Sequence, residues 1–230
     1  IYDKGFYDNT YKVLVNNYEV YSNTVTTKTP KPPKPVKSVL DRSGKDINGA
    51  TTFDRNVTFR LMTDYSPYTK TLASTQALGK RFAILDDVQD GAFSVYQGNI
   101  KMTAAGKDVK SLFDMHHVLS DKGRTDAINK ILKELNLQPR GEFYLWVAKD
   151  SKSFYQNYVK QNKNVTIDLP AKLLVKAGEK VENNFKQIDF GNSYQSNLVT
   201  VEVPNVKPEK HVLDRTGKKV LDGKEVQLGD

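Results

Sequence analysis

The chain contains no cysteine, which removes disulfides, thiol nucleophiles and cysteine-based zinc sites together. It has no run of about 18 apolar residues and no charged-then-apolar leader, so neither a membrane-spanning helix nor a signal peptide is read in it. Its mean hydropathy of −0.59 agrees with that reading. Histidine is scarce, at three residues. The adjacent pair His116-His117 would face opposite sides of a strand and has no third ligand at zinc spacing. No P-loop, dinucleotide-binding turn or nucleophile elbow is present. Charge of one sign is in modest excess, 35 basic against 27 acidic residues for a net +8. The lysines are scattered rather than gathered on a helix face or an aromatic-lined stripe, which argues against a nucleic-acid partner.

What the chain does have is a long internal repeat. Near the start it reads Val15-Asn-Asn-Tyr, Tyr21-Ser-Asn-Thr-Val and, after a Pro/Lys stretch, Lys37-Ser-Val-Leu-Asp-Arg-Ser-Gly-Lys; near the end it reads Glu182-Asn-Asn-Phe, Gln195-Ser-Asn-Leu-Val and Lys210-His-Val-Leu-Asp-Arg-Thr-Gly-Lys. Asn197 follows Asn23 by 174 residues (197 − 23), and Lys210 follows Lys37 by 173 (210 − 37). A repeat of that length is a whole domain and not a solenoid unit. The expected layout is the C-terminal strands of a preceding repeat domain in residues 1–30, a complete domain in 31–204, and the first strand of a following domain in 205–230. Thr29-Pro-Lys-Pro-Pro-Lys-Pro-Val36 reads as an extended, semi-rigid linker, and 204–209 as a weaker one.

Between the linkers the dominant period is two. Lys37, Val39 and Asp41 share a face, Val57, Phe59 and Leu61 alternate with polar neighbours, and so do Val199, Val201 and Val203. Phe143-Tyr-Leu-Trp-Val147 is a dense apolar run expected to be a central strand, with Trp146 in the core. Helical spacing occurs at Ile128, Ile131, Leu132 and Leu135, with Thr125 as N-cap and Pro139-Arg-Gly141 as the stop. Shorter helices are expected at 151–159 and 71–79. The fold class is therefore mainly β: an antiparallel β-sandwich with helical insertions in its crossovers.

Strand parity points to the chemistry. Lys37 lies on the face of Val39, and Asn197 on the face of Val199 to Val203, so an amine and a carboxamide are expected inside one core, where unpartnered burial is costly. Burial drives the amine towards its neutral form and a neighbouring carboxyl towards its protonated form. The amine can then attack the carboxamide, with the acid polarising its carbonyl and ammonia departing, to leave a Lys–Asn isopeptide bond. The assisting acid is Asp86 or Asp87. Alternation with Phe82 and Ile84 favours Asp86, unless a bulge intervenes.

The tandem layout, the Lys-x-Val-Leu-Asp-Arg-x-Gly opening, Leu85-Asp-Asp followed by Asp90-Gly, Leu119-Ser-Asp-Lys-Gly, Gly141-Glu-Phe-Tyr-Leu-Trp-Val-Ala and Ile188-Asp-Phe-Gly-Asn with Ser196-Asn197 together resemble the C-terminal domains of the streptococcal antigen I/II surface adhesins. The resemblance implies Ig-like sandwiches of the DE-variant type, stacked in a cell-wall-anchored stalk, locked by Asp-assisted Lys–Asn bonds. Those roles fall on Lys37, Asn197 and Asp86 or Asp87. It also implies structural calcium, for which Asp87 and Asp90 are the nominated carboxylates; no cofactor is required. Implied partners are host salivary or scavenger-receptor-type glycoproteins, other microbial surface proteins, and neighbouring repeat domains in cis. The implied location is extracellular, anchored through a segment outside this chain. Asn23 and Lys210 are expected to stay unreacted, lacking partners here. The rival is a hydrolytic or carbohydrate-processing sandwich with paired carboxylates, which parity opposes by turning Asp86 and Asp87 apart.

Overall fold

The computed structural model describes residues 6–29 and 31–225. The outermost residues of the two end segments, and Pro30 of the linker, lie outside the described residues. The chain opens with β1 (Phe6–Asn9), β2 (Lys12–Val15), β3 (Tyr18–Tyr21) and β4 (Val25–Lys28). β1 pairs with β4 and β2 with β3, all antiparallel. Next come β5 (Val36–Leu40), β6 (Ala50–Thr51), β7 (Asn56–Met62), helix α1 (Thr75–Leu78), β8 (Ala83–Asp87), β9 (Phe93–Val95), β10 (Lys101–Ala104), β11 (Lys107–Asp108) and β12 (Phe113–Val118). Then follow α2 (Asp126–Glu134), β13 (Phe143–Ala148), α3 (Ser151–Phe154), β14 (Val165–Leu173), β15 (Lys180–Asn183), β16 (Lys186–Asp189), β17 (Asn192–Gln195) and β18 (Val199–Glu202).

Two sheets face each other. One runs β11-β10-β14-β7-β5, with β9 also on β14; the other runs β12-β13-β8-β16-β17. A third, small sheet of β15, β18 and β6 sits at the side. The alternation read in the sequence fills the space between them: Val57, Phe59 and Leu61 of β7 and Val165, Ile167, Leu169 and Ala171 of β14 meet Ile84, Tyr144 and Trp146 from the facing sheet. β13 is buried on both faces, which accounts for its unbroken apolar run. Phe143, Leu145 and Val147 turn outward into a second core covered by Ile128 and Leu132 of α2. The Thr125 hydroxyl caps that helix, accepting from Ile128 N at 3.3 Å.

Three expectations are corrected. Helix α2 stops before Pro139: Asn136 takes a left-handed φ of 53°, a conformation asparagine tolerates, and reverses the chain there. The 151–159 helix is α-helical only to Phe154 and continues as one π-turn, Tyr155–Val159. The second part of the proline linker is docked and not a spacer, because Pro33 and Pro35 are buried and Lys34 N donates to Asp64 Oδ2 at 2.9 Å.

The repeat is also structural. β1, β2, β3 and β4 recur as β15, β16, β17 and β18, each with the same length and an offset of 174 residues (180 − 6, 186 − 12, 192 − 18, 199 − 25). The pairings are preserved, with β15 antiparallel to β18 and β16 to β17.

Candidate functional site

Lys37 sits in the middle of β5, between exposed Val36 and half-buried Ser38, with its side chain on the inner face beside Val39. Asp86 faces it from β8, where Ile84 precedes it on the same side. Lys37 Nζ lies 2.7 and 2.8 Å from the two Asp86 carboxylate oxygens, and both side chains are fully shielded from solvent. The Asn184 carbonyl oxygen accepts a longer contact from Nζ at 3.4 Å, and the Phe59 ring centroid lies 5.6 Å away. Asn183, at the end of β15, completes the group: its Nδ2 is 3.4 Å from Asp86 Oδ2, and its Oδ1 is buried with no hydrogen-bond partner.

Burial governs the electrostatics. It pushes the Lys37 ammonium down to about 8, against the opposing pull of Asp86. The same desolvation pushes Asp86 above the usual carboxylate range, opposed by Lys37 and Asn183. Both shifts run towards the neutral pair, a free amine beside a carboxylic acid. A dry ion pair formed at this desolvation cost is weak evidence for stability alone; an amine and a carboxamide gathered on one carboxyl group are the parts of a reactive arrangement.

The position of Asn197 is a correction. It lies outside β18, which begins at Val199, and is exposed. Its side chain does not enter the core: Oδ1 accepts from the Lys37 backbone N–H and Nδ2 donates to the Lys37 carbonyl, both at 2.9 Å. β5 is an edge strand, and the carboxamide pairs with its open main chain as a further peptide group would. Parity failed here because alternation holds only along a regular strand. At 196–198 the chain turns, burying Ser196 and exposing its two successors.

Asp87 points away from Asp86 and is exposed, its Oδ1 3.3 Å from Arg140 N. Asp90 Oδ1 accepts from Glu142 N at 2.7 Å, and Asp121 Oδ1 from Gly141 N at 2.9 Å. These carboxylates are committed to three successive amides of the 140–142 loop. A Cβ on Gly141, whose φ is +67°, would collide with the Asp90 carboxylate. Among the described residues no three His, Cys, Asp or Glu side chains converge. Asp87 and Asp90 each spend an oxygen on a backbone amide of that loop. Asn23 and Lys210 are both exposed and apart from the site.

Asn183 escaped the sequence reading, although two signals carried it. Val181, Asn183 and Phe185 alternate inward, and the ungapped 174-residue offset pairs Asn9-Thr-Tyr11 with Asn183-Asn-Phe185. Pairing Asn16-Asn17-Tyr18 with Asn183-Asn184-Phe185 instead hid the correspondence.

Fold and site define a mainly-β, Ig-like sandwich module of the kind that builds bacterial surface adhesins. Residues 35–203 match the family described as the cell surface antigen I/II C2 terminal domain, and the chain belongs to it. It is similar to the C-terminal domain of the antigen I/II-family protein AspA of Streptococcus pyogenes, with 31% identity, 86% of this chain and 60% of that one covered, and a TM-score of 0.71. The C-terminal domain of the antigen I/II polypeptide BspA of Streptococcus agalactiae matches at 32% identity over 85% of this chain and 58% of that one, with a TM-score of 0.66. The aggregation substance of Enterococcus faecalis is 27% identical over 98% of this chain, which spans only 16% of that protein's length.

Proposed function

We propose that this chain is a structural and adhesive stalk segment of a Gram-positive surface adhesin, whose complete domain, residues 31–204, locks itself with a Lys37–Asn183 isopeptide bond assisted by Asp86. The observation that carries this reading is the Asp86 carboxyl group, in contact with both the amine and the carboxamide inside a dry core. In the neutral pair Asp86 holds the proton and donates instead of accepting, so the Asn183 amide turns end for end and offers its otherwise unpartnered Oδ1. Lys37 Nζ attacks Cγ and loses its second proton through Asp86. The C–N bond to Nδ2 breaks, and the nitrogen leaves as ammonia. One amide is exchanged for another, with no oxidant and no turnover.

The bond closes a loop of 146 residues (183 − 37), and by analogy with disulfides it stabilises the fold by about 5 kcal/mol. Its place in the load path matters as much. Tension entering at β5 passes through Lys37 to Asn183 and bypasses residues 38–182. Only residues 184–202 remain in series, and the Asn197 clasp on the Lys37 backbone holds them closed. Released, that segment adds roughly 60 Å of extended chain. Such a module suits an anchored stalk under shear. Host glycoproteins or other microbial surfaces are its partners, neighbouring repeat domains flank it in cis, and wall attachment lies elsewhere in the longer protein.

Intact mass tests the reading. The mature chain should be lighter than its sequence by one ammonia, and Lys37→Ala, Asp86→Ala and Asn183→Ala should each restore the full mass while Asn197→Ala should not. A wild-type chain at full mass would sink the proposal. Retention on immobilised salivary glycoprotein tests the adhesive part separately, and a fragment that washes through would remove it.

A further inference from the structure

Two hairpins of the same shape carry different residues. β16–β17 repeats β2–β3 at the 174-residue offset, with the same strand lengths and the same left-handed turn, Asn16-Asn17 in one and Phe190-Gly191 in the other. Where β2–β3 has Val13, Val15, Asn16 and Val20, β16–β17 has Gln187, Asp189, Phe190 and Tyr194. None of these exchanges serves the hairpin itself. Asparagine tolerates the φ of 48° at residue 16, whereas phenylalanine bears strain at 51°. Gln187 and Asp189 are polar groups at most 1% exposed, at places where the other hairpin carries valine.

The exchanged residues meet at a cleft. Phe190 and Tyr194 line it together with Tyr68, the linker residues Thr29, Lys31 and Pro32, and the 71–77 segment, and its volume of about 530 Å³ lies within the range of small-molecule sites, about 300 to 1,000 Å³. Gln187 and Asp189 stand behind it. Asp189 Oδ2 accepts from the Tyr68 hydroxyl at 3.0 Å and from Gln187 Nε2. Gln187 also brackets the Asp64 main chain, accepting from its N at 2.7 Å and donating to its O at 3.0 Å, which fixes the turn that carries Tyr68. Burial, Asp189 and Tyr194 together raise the Tyr68 hydroxyl above the usual tyrosine range, so it stays a donor. Phe190 is held edge-on by Tyr68, Phe82 and Tyr155, at centroid distances of 5.4, 5.0 and 5.8 Å. The aromatic lining is thus formed before any ligand arrives.

The rest of the lining selects the ligand. Thr71, Asn192 and Ser193 supply hydroxyl and carboxamide groups, which both donate and accept. Among the described residues no carboxylate lines the cleft, and Lys31 is its one cation. A phosphorylated or strongly acidic ligand would ask for more positive charge, and a lipid tail for an apolar lining. A pyranose ring fits both halves: its C–H face suits an aromatic surface, and its hydroxyls need partners that donate and accept in turn. We infer that the cleft between the linker, the 71–77 segment and the β16–β17 hairpin binds a neutral sugar, a hexose or N-acetylhexosamine of a glycan chain. The inference rests on the adhesive part of the proposed function and gives that adhesion a ligand class and a place.

The test titrates the isotope-labelled chain with galactose, N-acetylgalactosamine and N-acetylglucosamine, read by NMR shifts and saturation transfer. At least one sugar should move the signals of Tyr68, Thr71, Asn192 and Tyr194 with a saturable, millimolar-range affinity. Asn192→Ala and Tyr194→Ala should each weaken it about tenfold. Tyr96→Ala, which removes an exposed tyrosine elsewhere, should leave it unchanged. Should Tyr194→Ala unfold, Asn192→Ala carries the test, because Asn192 is exposed. No response to any of the three sugars, or responses only outside the cleft, would overturn the inference. So would a cleft that answers to N-acetylneuraminic acid alone, which would make it an anion site. Sugar bound in the cleft by a chain that washes off immobilised salivary glycoprotein would remove the adhesive reading and spare the site. Retention unaffected by Asn192→Ala, with no sugar bound, would remove the site and spare the adhesion.

Discussion

Residues 6–28 and residues 180–202 fold into the same four strands in the same register, yet one lies bare and the other closes a core. The difference teaches that the hairpins are specified locally, by alternation, by turns such as Asn16-Asn17 with positive φ, and by a serine hydroxyl bridging two strands. The site is not local. Asn183 gains its environment only because β5 and β8, far away in sequence, bring Lys37 and Asp86 to the same point. A reactive carboxamide is thus an ordinary surface asparagine until a body of more than a hundred residues dries it out.

The comparison can be broken most severely at Lys37. Lys37→Met should cost about 5 kcal/mol by removing the loop constraint, a large part of a typical domain's stability. It also leaves Asp86 buried without its cation, so that Asp86 stays protonated. Lys210→Met, the same change in the uncovered repeat, should stay within about 0.5 kcal/mol. Thermal unfolding of the two variants checks the pair.

Asn183→Ala should cost a similar amount through the lost bond while keeping the Lys37–Asp86 contact. Asn197→Ala should keep the bond and lose two edge hydrogen bonds, a change of about 1 to 3 kcal/mol. Under tension the Asn197→Ala domain should release the slack of residues 184–202 at lower force. Single-molecule pulling that shows no extension before rupture in either protein would remove the clasp from the load path.

A smaller effect distinguishes the two segments by pH. Asp189 stands where the bare segment has Val15. It is buried, receives the Tyr68 hydroxyl at 3.0 Å and the Gln187 amide on one oxygen, and has no partner on the other. Burial raises it from 3.8 to about 7. The folded state therefore holds a proton that the unfolded state has released between those values, so stability should fall as pH rises through that window. Within it, each pH step of one costs the folded state at most about 1.4 kcal/mol. Asp189→Asn should flatten that slope in denaturant titrations at pH 4 to 7, and an unchanged slope would assign it to other groups.

Much of this was legible before any coordinates. Period two placed Lys37 beside Val39 and Asp86 beside Ile84, and both side chains do point into the core, because each lies inside a regular strand where alternation is a geometric necessity. Asn197 was misplaced because it lies just outside β18, where alternation has no force. Asn183 is hidden in the sequence because the most similar letters of the repeat, Asn16-Asn17-Tyr18 and Asn183-Asn184-Phe185, do not share its constant 174-residue offset. The stop of α2 at Asn136 and the docking of Pro33 and Pro35 depend on a left-handed residue and on a distant carboxylate, Asp64, neither of which composition announces.

The most direct test of the central claim is the mass of the purified chain together with its crosslinked peptides. One ammonia missing, with Lys37 joined to Asn183 and the deficit abolished by Asp86→Ala but not Asp87→Ala, is the predicted result. A chain at full mass, or a bond from Lys37 to Asn197, would contradict it.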